Sequence, residues 1–130
     1  MANTRLTLVV RKDLQLVVGL FGAQVAHMAD AWERELIIKN AGNLIATPTQ
    51  QEIDWCGEPY LTICAANCYE DLVEIKEHAE REKLPMRCWH DLVPSPTFPD
   101  RSIKAFVGIS IGPADFDAIK IVTGSLELYS

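Results

Sequence analysis

The segment Leu6–Val10 constrains the fold most, because every residue in it except Thr7 is aliphatic. A short aliphatic run that ends in the charged pair Arg11 and Lys12 is typical of a strand buried on both faces of a sheet. Such a strand requires helices above and below the sheet that contains it. The segment therefore predicts a covered α/β sheet with this strand in its interior.

Helix-like and strand-like segments alternate along the rest of the chain. The first half is predicted to contain a strand at 6–10, a helix with an apolar stripe (Phe21, Val25, Met28, Trp32) to 40–42, a short helix capped by Thr47 and running to Trp55, and a strand at 60–64. A helix that begins with an Asn67–Glu70 capping box follows, and then a strand at 85–90 and a proline-containing loop at 91–102. The last predicted elements are a strand at 103–111, a helix opened by Gly112-Pro113 and an edge strand at 126–129. A length of 130 residues predicts one domain over residues 1–130. We expect a three-layer α/β/α sandwich with a mixed, mainly four-stranded sheet.

The charge balance weighs against generic binding of nucleic acid. Twelve basic residues face 18 acidic ones, which gives a formal net charge of −6. A nucleic-acid surface needs Lys and Arg to replace the counterions of the phosphates. Basic residues are grouped only at Arg11-Lys12 and at Arg101 with Lys104, so a local basic patch stays open.

The cysteines and the hydrophobic segments argue against a metal site and a membrane location. The four cysteines lack zinc-ligand spacing, and we expect them to be small buried hydrophobic residues. We expect no metal and no cofactor. No apolar run approaches the roughly 20 residues that span a bilayer. Met1–Arg11 lacks the pattern of a signal peptide, so the expected location is cytoplasmic.

Two segments carry groups that can exchange or orient protons, and both are expected near the carboxyl ends of strands, where open α/β sheets bind ligands. Gln24 and His27 share a helix face, and a histidine exchanges protons near neutral pH. Asp91 follows a strand and suits a residue that orients water or a histidine. Spacing alone favours a structural role for His27 and equally allows a loop-capping role for Asp91. His90 is expected to point away from Asp91, and Ser95 lacks the G-x-S-x-G context of an activated serine.

Short motifs in a fixed order span almost the whole chain: LTLVVRKDL at 6–14, Gly19 followed by AQVAH at 23–27, WCGEP at 55–59, Leu84-Pro85 before His90-Asp91, IGPAD at 111–115 and VTGSLELY at 122–129. This series resembles the second, archaeal and eukaryotic class of peptidyl-tRNA hydrolase. The resemblance implies that class's fold and its reaction, hydrolysis of the ester that joins a peptide to the 3′ end of tRNA.

The resemblance also assigns roles to individual residues. It implies that Asp91 and His27 activate or position water, that Gln24 orients this water, and that Ser95 replaces a threonine of the following loop. A second set of implied roles concerns partners. Arg11 and Lys12 are expected to approach the phosphates of tRNA, and the protein is expected to form a homodimer.

The chain departs from the family pattern in two places. The lysines of the family's first turn correspond to Gln15, Val18 and Leu20, and the loop D-A-G-R-T-Q corresponds to a longer loop that begins DLVPSP at 91–96. Fewer basic residues weaken phosphate contacts, and the turn becomes apolar. Two alternatives to the hydrolase therefore stay open: a diverged family member that binds or hydrolyses a smaller ligand, and a non-enzymatic dimeric interaction protein.

Overall fold

A computed structural model describes residues 3–43 and 45–130, so Met1, Ala2 and Leu44 lie outside the described residues. The strands are β1 (Thr4–Arg11), β2 (Leu61–Ala66), β3 (Met86–Pro94) and β4 (Ser102–Asp115). The helices are α1 (Val18–Ala29), α2 (Ala31–Ala41), α3 (Gln50–Gly57), α4 (Tyr69–Arg81) and α5 (Phe116–Thr123), and a single 3-10 turn (Lys12–Leu14) follows β1.

The four strands form one mixed sheet in the order β2-β1-β4-β3. β1 pairs in parallel with β2, whereas β4 runs antiparallel to both β1 and β3. β1 is thus an interior strand, as its aliphatic run predicts, and β3 lies at an edge. The predicted mixed, four-stranded sheet is confirmed.

Alternate residues of β1 contribute to two separate cores on the two faces of the sheet. Leu8 packs with Met28 in the core under α1, α2 and α3. Val9 points the other way and packs with Leu72 and Ile119 under α4 and α5. Because successive side chains of a strand point to opposite faces, one aliphatic run fills both cores. The predicted three-layer sandwich is confirmed.

Two helix starts differ from the prediction. The long first helix is divided at Asp30 into α1 and α2. The next helix, α3, is capped by Thr49 rather than Thr47. The Thr49 side chain accepts a hydrogen bond from the Glu52 amide (3.1 Å), and the Glu52 carboxylate accepts one from the Thr49 amide (2.7 Å). This reciprocal capping box satisfies two amides that Thr47 does not reach.

The predicted Asn67–Glu70 capping box is wrong, because α4 begins one residue later than that box requires. Cys68 is the N-cap residue of α4, and its side chain makes no capping hydrogen bond.

The prediction that Gly112-Pro113 opens the last helix is also wrong. Both residues lie within β4, where Ala114 still pairs with Arg5 of β1, and α5 begins at Phe116. Gly112 has φ of +112°, and a Cβ at this position would lie 2.6 Å from the Arg5 carbonyl oxygen. The glycine therefore serves a close approach between two strands rather than a helix start.

The predicted loop at 91–102 is largely a β-hairpin. The β3–β4 ladder continues through Asp91 opposite Ala105 and ends with Pro94 opposite Ser102. Pro94 is tolerated because β3 is an edge strand, where a residue without an N–H group need not break a ladder. Asp91 therefore lies inside a strand and not at the start of a loop.

The C-terminal segment and the cysteines match the predictions only in part. The predicted strand at 126–129 is reduced to an isolated antiparallel bridge between Leu128 and Cys64. Cys64 is buried as expected, but Cys56 and Cys88 are exposed and Cys68 is half-buried. Among the described helices, none has the length and apolarity needed to cross a bilayer.

Candidate functional site

A row of alternate side chains on β3 faces helix α1. Trp89, Asp91 and Val93 share this face because side chains two residues apart in a strand point the same way, and Ser95 follows directly after the strand. His90 lies on the opposite face, where its ring stacks on Phe106 with the centroids 4.7 Å apart. The prediction that His90 points away from Asp91 agrees with this arrangement.

A chain of hydrogen bonds joins Gln24 of α1 to two members of this row. The Gln24 amide nitrogen donates to Asp91 Oδ2 at 3.0 Å, and the Trp89 indole N–H donates to Gln24 Oε1. Gln24 is only 1% exposed, so its two bonds fix the amide inside the protein. Buried polar groups of this kind are costly unless they are paired, which gives the amide one orientation. Gln24 therefore positions the Asp91 carboxylate rather than contacting bulk water.

His27 lies one turn further along α1, at the solvent side of the same cluster. Its exposed ring stacks on Trp89, with centroids 5.0 Å apart and an angle of 18° between the planes. Arg34 of α2 donates to the His27 carbonyl at 2.7 Å, and its guanidinium lies 5.4 Å from the centre of the Trp89 ring. The structure thus brings Gln24, His27 and Asp91 together, and Trp89 contacts both Gln24 and His27.

Asp91 is held in its ionised form. The hydrogen bond from Gln24 lowers the pKa of this carboxyl below its ordinary value, and the Leu92 amide, which donates to Oδ1 at 2.8 Å, lowers the pKa further. The positive charge of a protonated His27 acts in the same direction. Bonds to the charged form favour that form, so Asp91 is an anion throughout the neutral range.

Ser95 lies just beyond the end of β3, four residues after Asp91. It is nearly buried, at 9% exposure, and its hydroxyl oxygen accepts a hydrogen bond from the Phe98 amide at 3.2 Å. Four residues of extended chain cover about 13 Å, so Ser95 is not part of the cluster that Gln24, His27, Trp89 and Asp91 form. It forms one wall of a pocket beside that cluster.

The two predicted phosphate-binding residues lie away from Asp91. Arg11 is on the opposite face of the sheet, where it forms a two-pronged ion pair with Asp13 (3.0 and 2.8 Å) and lies 5.8 Å from the centre of the Tyr69 ring. Lys12 is exposed in the 3-10 turn after β1. The structure therefore does not bring Arg11 to the cluster.

Comparison with known proteins identifies the family of this chain. The sequence model described as "Peptidyl-tRNA hydrolase PTH2" matches residues 4–129. The chain belongs to this family.

Individual relatives of the PTH2 family agree with the match. The "Peptidyl-tRNA hydrolase 2, mitochondrial" of Bos taurus is 32% identical over 125 residues, which cover 96% of this chain and 64% of the bovine protein. The human protein of the same name is 30% identical with the same coverage. The "Peptidyl-tRNA hydrolase" of Haloquadratum walsbyi is 29% identical over 123 residues, with coverage of 94% and 96%. The chain thus spans 64% of the length of its mitochondrial relatives.

A solved structure supports the fold alone. An Agrobacterium protein described as of unknown function superposes with a TM-score of 0.57 over the full length of both chains, at 17% sequence identity.

Trp89 is the residue that reasoning from the sequence missed. Its sequence signal was its position two residues before Asp91, which puts both side chains on one face of a strand. The indole N–H is a donor only, so it selects the carbonyl oxygen of Gln24 and leaves the amide nitrogen for Asp91. In this member of the PTH2 family, the Asp91 carboxylate is thus oriented through two side chains from two layers.

In the described ranges, no three His, Cys, Asp or Glu side chains cluster as metal ligands would. The groups that the site offers to a reaction are therefore a carboxylate, an imidazole and the polar atoms around them.

Proposed function

We propose that this protein is a peptidyl-tRNA hydrolase that cleaves the ester between a peptide and the 3′ end of tRNA. The observation that carries the proposal is the ionised Asp91, held by the buried Gln24 beside His27 in a chain of the PTH2 family. Family membership favours this reaction over the smaller-ligand and non-enzymatic alternatives.

The proposed reaction uses Asp91 and His27 on a water molecule. The Asp91 carboxylate accepts a hydrogen bond from the water, and His27 takes its proton as the oxygen attacks the acyl carbon. The bond between that carbon and the ribose oxygen then breaks, and His27 passes the proton to this oxygen, which leaves as the ribose hydroxyl. Gln24 and Trp89 act by holding the carboxylate in place, because pre-positioned charge needs no reorganisation during the reaction.

The tip of the β3–β4 hairpin supports tRNA binding despite the net charge of −6. Arg101 lies 5.0 Å from the centre of the Phe98 ring, and Phe98 is 53% exposed. Lys104 pairs across the hairpin with Leu92, close to this tip. Within the described residues, Arg101, Lys104 and Lys12 take part in no ion pair, so their charges are available to phosphates. An exposed aromatic ring with an arginine beside it also suits an unpaired base.

The deciding experiment is release of an N-acetylated amino acid from a charged tRNA. We expect the wild-type protein to hydrolyse the ester and both Asp91→Asn and His27→Ala to lose most of this activity. Thermal unfolding of each variant is the control for folding. A wild-type protein that stays inert at high enzyme concentration would exclude the reaction.

The tRNA surface has a test of its own. Replacement of Arg101 by Gln removes one phosphate contact, so the slope of log affinity against log salt concentration is expected to fall by about one. Arg81→Gln, at the exposed end of α4, is the matched control and leaves the slope unchanged. An identical slope for wild type and Arg101→Gln would argue against this surface.

A homodimer and a cytoplasmic location complete the proposal. Support for the dimer comes from helix α2, where Ile37 and Ile38 are 65% and 70% exposed. Isolated apolar side chains are common on surfaces, but an adjacent pair of this size suits an interface. The four free thiols suit a reducing compartment such as the cytoplasm. Light scattering of wild type and Ile38→Lys tests the dimer, which we expect the variant to weaken.

A further inference from the structure

A small apolar pocket opens between the turn that follows β1 and the tip of the β3–β4 hairpin. Its volume is 160 Å³, and its walls include Leu16 and Leu20 from one side and Ser95, Pro96 and Pro99 from the other. None of the lining residues is charged. The pocket is thus separate from the carboxylate, since Asp91 does not line it, and two different segments enclose it.

The pocket lies close to the Gln24–Asp91 hydrogen bond. Leu20 precedes Gln24 by one helical turn, which puts their Cβ atoms about 5–6 Å apart on one face of α1. The amide nitrogen of Gln24, at the end of its side chain, lies 3.0 Å from Asp91 Oδ2. The nearer wall of the pocket is therefore roughly 10 Å from the carboxylate. The side chain on the α-carbon next to the acyl carbon of a substrate at Asp91 covers much of this distance.

The size and lining of the pocket select one class of group. An engineered apolar cavity of about 150 Å³ binds benzene, so a pocket of 160 Å³ accommodates one aromatic ring or a branched aliphatic side chain. A charged group would lose its hydration without gaining a partner of opposite charge, because no lining residue is charged. The family resemblance implies a lysine at the position of Leu20. The preference for apolar groups is therefore specific to this chain.

We propose that this pocket binds the side chain of the amino acid esterified to tRNA, and that it makes the enzyme selective for apolar residues at this position. The inference rests on the proposed hydrolase function, because it names a substrate preference of that reaction. A pocket of this kind discriminates through the transition state, so the preference appears in kcat/KM.

The kinetic test uses one tRNA body acylated in turn with N-acetyl-leucine, N-acetyl-phenylalanine, N-acetyl-aspartate and N-acetyl-lysine. We expect kcat/KM for the leucine and phenylalanine esters to exceed the values for the two charged esters by about tenfold or more. Values that agree within about twofold would overturn the pocket while leaving the hydrolase function intact.

Two substitutions separate the pocket from a general charge effect. Leu20→Lys places a charge at the pocket wall, and we expect it to lower the leucine-to-aspartate ratio of kcat/KM by about tenfold. Val18→Lys adds the same charge two residues earlier, at a side chain that is 89% exposed and does not line the pocket. The ratio is expected to stay unchanged in this control. A similar change in both variants would show that charge near the tRNA, and not the pocket, sets the ratio.

A binding test works without hydrolysis. We expect N-acetyl-phenylalanine methylamide to shift the amide NMR signals of Leu16, Leu20 and Ser95 in the wild-type protein, and N-acetyl-aspartate methylamide to leave them in place. Shifts at these residues in a protein that does not hydrolyse peptidyl-tRNA would support the pocket and reject the proposed function. No shift at millimolar concentrations of the phenylalanine probe would reject the pocket.

Discussion

The two faces of the edge strand β3 place the adjacent residues His90 and Asp91 in different surroundings. On the face towards α1, Asp91 is bonded to the buried Gln24, which is bonded to Trp89. On the other face, His90 stacks on Phe106, and Phe106 meets Tyr69 edge to face with centroids 6.3 Å apart. The first face orients a charge, whereas the second packs rings. Two adjacent polar residues therefore have different roles because different layers cover them.

The basic residues follow the same division. Arg11 lies on the His90 face, and its charge is balanced by Asp13 at 2.8 Å. Arg101, at the hairpin tip, lies over the exposed Phe98. Arg11 and Arg101 are thus the same type of residue, but the charge of Arg11 is already paired, whereas the charge of Arg101 is available to a phosphate. The comparison predicts that activity depends on the Asp91 face, whereas the Arg11 pair contributes only slightly to stability and not to activity.

The largest expected difference is between Asp91→Asn and His90→Gln. Asp91→Asn keeps the shape of the side chain but removes its charge, so kcat for ester hydrolysis is expected to fall by about 10² to 10⁴-fold. His90→Gln alters only the ring-packing face, and we expect kcat to change by less than about threefold. Equal losses in both variants would remove the functional distinction between the two faces.

The second prediction concerns the buried amide. Gln24→Leu removes the main cause of the lowered Asp91 pKa, so that pKa is expected to rise towards its ordinary value, and kcat to fall about tenfold. Carboxyl carbon-13 NMR titration measures the pKa. An unchanged pKa would show that the amide does not hold the charge.

The same variant has a predicted pH dependence of stability. In the wild-type protein, Asp91 contributes stability above its unfolded-chain pKa of about 3.9, and this contribution is lost as pH falls through the lower folded value. Gln24→Leu removes the contribution at neutral pH. The difference in unfolding free energy between wild type and variant is therefore expected to narrow from pH 7 to pH 3, as measured by urea unfolding.

A smaller effect is expected from Trp89→Phe, which keeps the ring beside His27 but removes the donor to Gln24. The loss of one hydrogen bond of about 0.5–1.5 kcal/mol loosens the amide, and kcat is expected to fall roughly threefold. Trp55→Phe is the matched control, because it removes an indole bond of 2.8 Å to the Tyr60 carbonyl outside the site. A fall in kcat in the control as well would assign the effect to general destabilisation.

The smallest effect concerns the opposite face. Arg11→Gln breaks the pair with Asp13, and the unfolding free energy is expected to fall by about 1 kcal/mol or less, since ion pairs near the surface contribute little. We expect kcat/KM to stay within about twofold of the wild-type value. A tenfold rise in KM for peptidyl-tRNA would instead support the phosphate contact that the family resemblance implies for Arg11.

Local patterns were sufficient for most of the fold. The aliphatic run at β1 and the apolar spacing of Met28 and Trp32 depend only on neighbouring residues, and both predicted the correct layers. The errors occur where pairing overrides local preference. Gly112-Pro113 has the composition of a helix start but remains in β4 because β1 lies beside it. The hairpin beyond Asp91 forms because β3 continues to pair with β4, and Pro94 is tolerated because the other edge of β3 is free.

The sequence by itself determined that the chain is a covered α/β sandwich of this family type, and that Gln24, His27 and Asp91 are candidates for one site. It also determined that Asp91 and His90 point apart, because the strand repeat is local. Only the tertiary structure decided that Trp89 orients Gln24 and that Arg11 is balanced by Asp13 on the far face. These partners are distant in the chain or depend on which layer covers a face, and packing between layers has no local signature.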